Sequence, residues 1–374
     1  MKVAQILYSG LGGHGSVALS LIAADATRQW RHALGFVGVE PLLPAYRDAC
    51  ARLGVEFGYF GAPPARPWRA WRRLFRWLCD SRPDAVILHS PSSLPPVLGY
   101  ALVSGVRPVV VEHQANALKR RTDWAFGAAA MVFARTVVVL TPDYRRELQG
   151  GLGRWFRGDK VVTIPNGIDV QKFCPRDHAE GALPQVRLGM AARFTRSKRQ
   201  DVLVDAMGEL LRLRPDLDWR LELAGDGDTC LDVAAKARAS GLGPQVTLLG
   251  ALGEDALAAW LRSIDVYLFA SDGETLSTSL LQAMACELPI VGSDVAGVAA
   301  LIGGDAPCGL LVRDQDPRGF ARAVLALVDD GRTAKNLGRV ARNRCLASYT
   351  NGRMFSDYRR LVGEAAAPSA EGRL

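Results

Sequence analysis

The chain has 374 residues, 49% hydrophobic and 22% charged, which describes a soluble globular protein of about two domains. No apolar run reaches the roughly 18 residues of a transmembrane helix. The start, "MKVAQILYSGLGG", has neither the apolar region nor the cleavage site of a signal peptide. The seven scattered cysteines contain no C-x-x-C, which argues against a disulfide framework or zinc site and for reduced thiols in a cytoplasmic protein. Residues 1–174 carry 22 Lys and Arg against 12 Asp and Glu, while the remainder carries 24 against 26. The first half therefore favours an anionic partner: a phosphorylated substrate, an acidic membrane surface or nucleic acid.

In chain order, "KVAQILY" reads as a strand. "YSGLGGHGSVALSL" follows, in which Gly10, Gly12 and Gly15 spell G-x-G-x-x-G between that strand and a helix. Glycines in that context let the backbone approach a diphosphate at a helix N-terminus, which admits a dinucleotide-binding oxidoreductase. The acid such a protein needs after the second strand would be Glu40, 25 residues past Gly15, where about 20 is usual. "HALGFVGV" and "VEFGYF" are the next strands. "RPWRAWRRLFRWLCD" has helical spacing, with Trp68, Trp71, Phe75 and Leu78 on one face and Arg69, Arg72, Arg73 and Arg76 on the other. It packs on the sheet, and its arginine face is placed to approach a lipid surface. "AVILHS", "RPVVVEHQ", "TVVVLT" and "KVVTIPN" are further strands. His113 stands at the end of one of them, either as a structural histidine or facing a ligand. Lys119, Arg120 and Arg121 read as solvated charge or as contacts to an anionic acceptor.

Asn166 to Gln185, rich in turn residues and proline, reads as a linker. Beyond it "VRLGMAARF", "WRLELAG", "VTLLG", "VYLFAS", "PIVGS" and "GLLV" are strands. Many strands are continuous apolar runs, as parallel strands buried on both faces require. Strand and helix alternate twice over, so the fold class is α/β with two doubly wound Rossmann-like domains, whose ligands bind outside the carboxyl ends of the strands in the cleft where the two sheets face each other. In "GMAARFTRSKRQDVLVDAM", Arg193 and Lys198 follow a strand, five residues apart, and two cations there suit a diphosphate. Arg196 and Arg199 are basic too, so a solvated basic loop is the alternative. In "FASDGETLSTSLLQAMACELPIVGSDVAGV" a polar turn, Ser271 to Glu274, leads into a helix expected from about Leu276 to Cys286. Glu274 then lies near the helix start, on one face with Gln282, or serves only to complement the helix dipole. The tail "EAAAPSAEGRL" reads as frayed.

"IPNGIDVQKFCP", "AARFTRSKRQDVLVDAM", "LELAGDGD", "VTLLGAL", "SDGETLSTSLLQAMACELPIVGSDVAGVAALI" and "GLLVRDQDPRGFARAV" occur in this order. Together they resemble the retaining glycosyltransferases of family 4, which have the GT-B fold. The resemblance is nearly continuous in the second half and looser in "GLGGHGSVALSLIAA", "RPDAVILHS" and "VVVEHQ". It implies an N-terminal acceptor-side domain over 1–172, a nucleotide-sugar-binding domain over 173–347, and a helix within 348–374 that packs back on the first domain. It also implies that Arg193, Lys198, Gly12, Gly13 and the backbone around Ser277 and Thr278 hold the donor diphosphate. Glu274 and His113 would stand at the donor sugar, and Gln282 at the ribose, where the family has a second Glu. The nucleobase would lie near Gly250, Ala251 and Leu252.

The implied activity is metal-independent transfer of a hexose from a nucleotide-sugar to an acceptor hydroxyl. The setting would be cell-surface polysaccharide, lipopolysaccharide or glycolipid assembly. The basic first half suits a lipid-linked or phosphorylated glycan acceptor and peripheral association with the cytoplasmic face of the inner membrane. No cofactor, metal or nucleic-acid partner is expected. The rival readings are an NAD(P)-dependent oxidoreductase built on Gly10, Gly12 and Gly15, a sugar-nucleotide epimerase sharing the fold, and a non-catalytic relative motivated by Gln282.

Overall fold

The structure is a computed structural model that describes residues 1–10, 13–62, 66–89, 91–114, 116, 119–176, 185–313 and 315–366. The chain divides into two compact units. The first runs from Met1 to Gly167 and is joined by the helix Asn351–Ala366; the second is Ile168–Thr350. The boundary falls inside the Asn166–Gln185 segment, of which 177–184 lie outside the described residues, as does the tail beyond 366.

The first unit is built on β1 (Lys2–Tyr8), β2 (Arg31–Gly38), β3 (Glu56–Gly61), β4 (Ala85–Leu88), β5 (Val109–Val111), β6 (Thr136–Val139) and β7 (Val161–Thr163). They form one seven-stranded parallel sheet in the order β3-β2-β1-β4-β5-β6-β7. Strands β4, β5 and β6 are buried at every residue, which is what their continuous apolar sequences require with helices on both faces. β3 is an edge strand and leaves Phe57 and Tyr59 exposed.

The arginine-rich helix spans Trp68–Ser81 and packs on this unit. Its buried line is Ala70, Leu74 and Leu78, with Phe75 and Trp77 half-buried, rather than the Trp68–Trp71–Phe75–Leu78 line of the sequence reading. Residues four apart share a face, and Ala70 carries only a methyl group, so the helix lies close along that line. Trp68, at the first residue, stays 56% exposed. Helix Asn351–Ala366 belongs to this same unit through Met354, Phe355, Tyr358 and Val362, all buried. Phe355 meets Trp30 edge to face at 5.0 Å, and Gly167 N donates to Met354 Sδ at 3.1 Å.

The second unit carries β8 (Gln185–Ala191), β9 (Asp218–Ala224), β10 (Val246–Gly250), β11 (Val266–Phe269), β12 (Ile290–Ser293) and β13 (Leu310–Val312). These form a six-stranded parallel sheet ordered β10-β9-β8-β11-β12-β13. The thirteen strands read from the sequence are all present. In both sheets the chain first grows outward on one side and then crosses to the other. This creates a switch point between β1 and β4 in the first unit and between β8 and β11 in the second. Loops diverge at such a point and leave room for a ligand beyond the carboxyl ends of the strands. Among the described residues no helix is long and apolar enough to cross a membrane.

Candidate active site

In the second unit the loop after β8 carries Arg193 and Lys198 and ends at the helix Gln200–Leu213. It is pinned from two sides. Phe194 N donates to Asp226 O at 2.9 Å and Ala192 N to Ala224 O at 3.0 Å, tying it to the loop after β9. Gly225 makes this approach possible: its φ is +135°, and a Cβ there would strike the carbonyl oxygen of Ala192. On the other side Arg199 N donates to Ala270 O at 3.1 Å and Asp272 N to Ser197 O at 2.9 Å, so Lys198 and Ser271 stand opposite each other as an antiparallel bridge.

That bridge spans the switch point. From it Lys198 Nζ forms an ion pair with the carboxylate of Glu274, both side chains 17% exposed. Lys198 Nζ also reaches Ser271 Oγ at 3.4 Å and lies 4.8 Å from the centre of the Phe269 ring. Glu274 sits in the loop, not on the helix: the helix begins at Thr278, so the one-face relation of Glu274 to Gln282 does not exist. The reason is local. Ser277 has extended backbone and its Oγ accepts from Leu280 N at 3.3 Å, capping the helix there and leaving residues 272–276 as a connecting loop. Gly297 lets the Glu274–Thr275 backbone lie against the start of helix Ala296–Ile302, since a Cβ there would meet Glu274 O.

Ser277 and Thr278 open the helix Thr278–Ala285, whose first amides lack acceptors within the helix and point an N-terminal dipole outward. Gln282 is buried, 7% exposed, one turn further along. Arg193 is half-buried two residues past β8, and its main-chain oxygen accepts from Gln200 Nε2 at 3.2 Å. Arg199 is engaged by Asp201 at 3.0 Å and Asp272 at 3.3 Å, and Arg196 is exposed, so the loop's charges are not interchangeable. Gly250 ends β10 with φ +70° and its O accepts from Gly225 N at 2.7 Å; Ala251 is exposed and Leu252 half-buried beside it. Tyr267 ties β11 to the end of β8, its OH donating to Ala191 O at 3.2 Å. Burial pushes its phenol up to about 12, so it remains a neutral donor.

In the first unit Gly13 opens the helix Gly13–Ala24 directly beyond β1, while Gly12 lies outside the described residues. His113 stands two residues past β5. It belongs to a buried chain the sequence reading missed: Gln5 Oε1 lies 3.0 Å from His89 Nε2, and His89 Nδ1 lies 3.0 Å from His113 Nε2. The amide oxygen can only accept, so His89 donates through Nε2 and accepts at Nδ1 from His113. The signals were a polar Gln5 inside an apolar strand and His89 at the end of "AVIL", the same kind of position as His113. Burial, then the neighbouring rings of His89 and His14, hold His113 well below the ordinary histidine range. Lys119 is not solvated. It is 2% exposed, paired with Glu112 at 2.8 Å, 4.9 Å from the Trp124 ring and 5.4 Å from that of Tyr144. Arg120 and Arg121 are exposed.

Residues 11–172 match the model of the Glycosyltransferase Family 4 domain, and residues 185–330 that of the Glycosyl transferases group 1 domain. The chain belongs to glycosyltransferase family 4. The D-inositol 3-phosphate glycosyltransferase of Paenarthrobacter aurescens is 30% identical over 263 residues, 68% of this chain and 61% of that protein. The phosphatidyl-myo-inositol mannosyltransferase of Mycobacterium leprae is 28% identical over 267 residues, 68% and 67% of the two chains. The match thus spans about three-fifths of the length of the D-inositol 3-phosphate relative. The crystal structure of Anabaena HepE in complex with UDP and glucose superposes with a TM-score of 0.82 at 16% identity, covering 97% of this chain and 99% of that one. Sucrose-phosphate synthase from Thermosynechococcus elongatus gives 0.81 at 20% identity, with 99% and 100% covered. The fold is therefore GT-B. The match from residue 11 assigns the glycine turn to a transferase domain rather than to a nicotinamide-binding one.

The buried imidazoles make the first unit acid-sensitive. Burial, then the nearby His14, lowers His89 to about 3 from 6.5, so the unfolded chain binds more protons between those values. Stability is full above about 6.5 and falls as pH drops toward about 3, by about 1.4 kcal/mol per pH unit for one such group. Urea unfolding at pH 7 and pH 5 should show this loss, and His89→Gln should reduce it.

Proposed function

We propose that this chain transfers a sugar from a nucleotide-sugar donor to an acceptor hydroxyl with retention at the anomeric carbon. The observation that carries the reading is the Lys198–Glu274 pair at the switch point of the second unit, beside the capped N-terminus of helix Thr278–Ala285. It is supported by the family match and by the neighbour solved with UDP and glucose.

Donor diphosphate draws Lys198 from Glu274, joined by Arg193 and the amides at Ser277 and Thr278. The released carboxylate then accepts hydroxyls of the donor sugar. As the bond from the anomeric carbon to the β-phosphate oxygen breaks, charge grows on the diphosphate, where fixed cations and helix-end amides act most strongly in a site of low polarity. The acceptor oxygen forms the new bond on the same face, and its proton passes to the departing phosphate oxygen. In this reading Arg193 and Lys198 carry the charge stabilisation that a metal supplies elsewhere. Among the described residues no group of three or more His, Cys, Asp and Glu gathers as a metal cluster.

Gln282 takes the ribose, and the loop of Gly250, Ala251 and Leu252 takes the base. A carboxylate accepts from both ribose hydroxyls, whereas an amide accepts with Oε1 and can only donate with Nε2. Donor affinity is therefore lower than a Glu would give, by about 1–2 kcal/mol. Gln282 is also the specific observation behind a second reading, a non-catalytic nucleotide-sugar-binding relative.

The acceptor is a phosphorylated or lipid-linked glycan in cell-surface polysaccharide, lipopolysaccharide or glycolipid assembly. Arg69, Arg72, Arg73 and Arg76 are all exposed on the helix Trp68–Ser81, and Trp68 beside them supplies an apolar anchor. That combination suits the cytoplasmic face of an anionic membrane, each cation contributing about 1 kcal/mol near the surface.

Calorimetric titration with UDP, GDP, ADP and NAD tests the donor site. One nucleoside diphosphate should bind, and Lys198→Ala should weaken it at least about tenfold; binding of NAD alone, insensitive to Lys198, would overturn the reading. Replacing Arg69, Arg72, Arg73 and Arg76 together by Gln should abolish co-sedimentation with phosphatidylglycerol vesicles and lower transfer to a membrane-embedded acceptor. Unchanged binding and transfer would remove the membrane from the account.

A further inference from the structure

Gln315 lies between β13 and the helix Pro317–Asp329, with a φ of +51°. That left-handed backbone favours glycine and strains a glutamine, so a Gln held there calls for a compensating interaction. Its carboxamide supplies one. Gln315 Nε2 donates to Ser271 O at 2.6 Å, and Gln315 Oε1 accepts from Ser293 Oγ at 2.9 Å. Ser293 Oγ in turn accepts from Ser271 N at 3.0 Å. The three bonds close a ring in which each donor and acceptor has one role. Both main-chain polar groups of Ser271 are satisfied by side chains from the next two strand ends, and Ser271 and Ser293 are fully buried.

Ser271 is the hub of the candidate site. It is the residue opposite Lys198, its Oγ lies 3.4 Å from Lys198 Nζ, and it also donates to Gly273 O at 2.9 Å on the way to Glu274. Whatever fixes the Ser271 backbone fixes where both charges of the Lys198–Glu274 pair leave the sheet. We propose that Gln315 is a positioning residue for Lys198 and Glu274, acting through the hydrogen-bonded ring it closes on Ser271. This rests on the reading of that pair as the donor site. Gln315 touches no reacting atom; it sets the aim of residues that do.

The test uses Gln315→Gly, which relieves the backbone strain and removes the ring, together with Gln315→Leu, Lys198→Ala and the Lys198→Ala/Gln315→Gly double variant. Hydrogen exchange on the free protein should show faster exchange at residues 197–200 and 270–274 in Gln315→Gly without a lower Tm. Calorimetry should show the nucleoside diphosphate bound by the parent chain held about fivefold or more weakly by Gln315→Gly and Gln315→Leu. In the Lys198→Ala background Gln315→Gly should add no further loss, because the effect passes through Lys198. Unchanged exchange, unchanged affinity, or a loss that simply adds to that of Lys198→Ala overturns the proposal. Failure of the parent reading looks different: Lys198→Ala itself would leave nucleotide binding intact.

Discussion

The antiparallel bridge between Lys198 and Ser271 joins the two loops that diverge at the switch point of the second sheet, and the rest of the site depends on it. β8 and β11 are neighbours in space but are separated in sequence by two strands and three helices. Their loops would diverge without a lateral tie. Main-chain bonds from Arg199 to Ala270 and from Asp272 to Ser197 supply that tie, and the Lys198–Glu274 ion pair lies over it. Four further donor-site candidates in this unit are placed relative to that seam: Arg193 on the same loop, Ser277 and Thr278 at the helix it leads into, and Gln282 inside that helix.

A lysine and a glutamate that are each 17% exposed benefit from one another, because a lone charge there would be poorly solvated. The pair also explains how a site can be ready for an anionic ligand without carrying uncompensated charge. In the proposed reaction a diphosphate competes with Glu274 for Lys198, and the carboxylate that it displaces becomes an acceptor for hydroxyls. In the first unit Glu112 and Lys119 make a closer analogue, 2% exposed and walled by Trp124 and Tyr144. That pair ties Glu112, next to His113, to Lys119, while the Gln5–His89–His113 chain orients the ring.

The fold was legible in the sequence because parallel strands buried on both faces must be apolar throughout, and many of the thirteen strands are such runs, alternating with helices. That Arg193, Lys198 and Glu274 stand on loops after strands was legible, because the apolar runs mark where those strands end. The contacts were not. That Lys198 meets Glu274 across 76 positions is a consequence of strand order, which spacing does not encode. The helix start after Glu274 was misplaced because Leu276 continues the apolar pattern, whereas the cap at Ser277 decides the boundary. Lys119 reads from sequence as solvated charge or an acceptor contact because it stands beside Arg120 and Arg121, and only tertiary packing brings Trp124, Tyr144 and Glu112 around it. Gln315 gave no signal at all: a left-handed glutamine looks like any polar loop residue.

A crystal structure with the nucleotide-sugar that the chain binds tests the central claim most directly. The account predicts that Lys198 Nζ leaves Glu274 for the diphosphate, that the Glu274 carboxylate accepts from the sugar hydroxyls, and that the Lys198–Ser271 bridge remains. A donor bound elsewhere on the chain, with the Lys198–Glu274 pair intact, would contradict it.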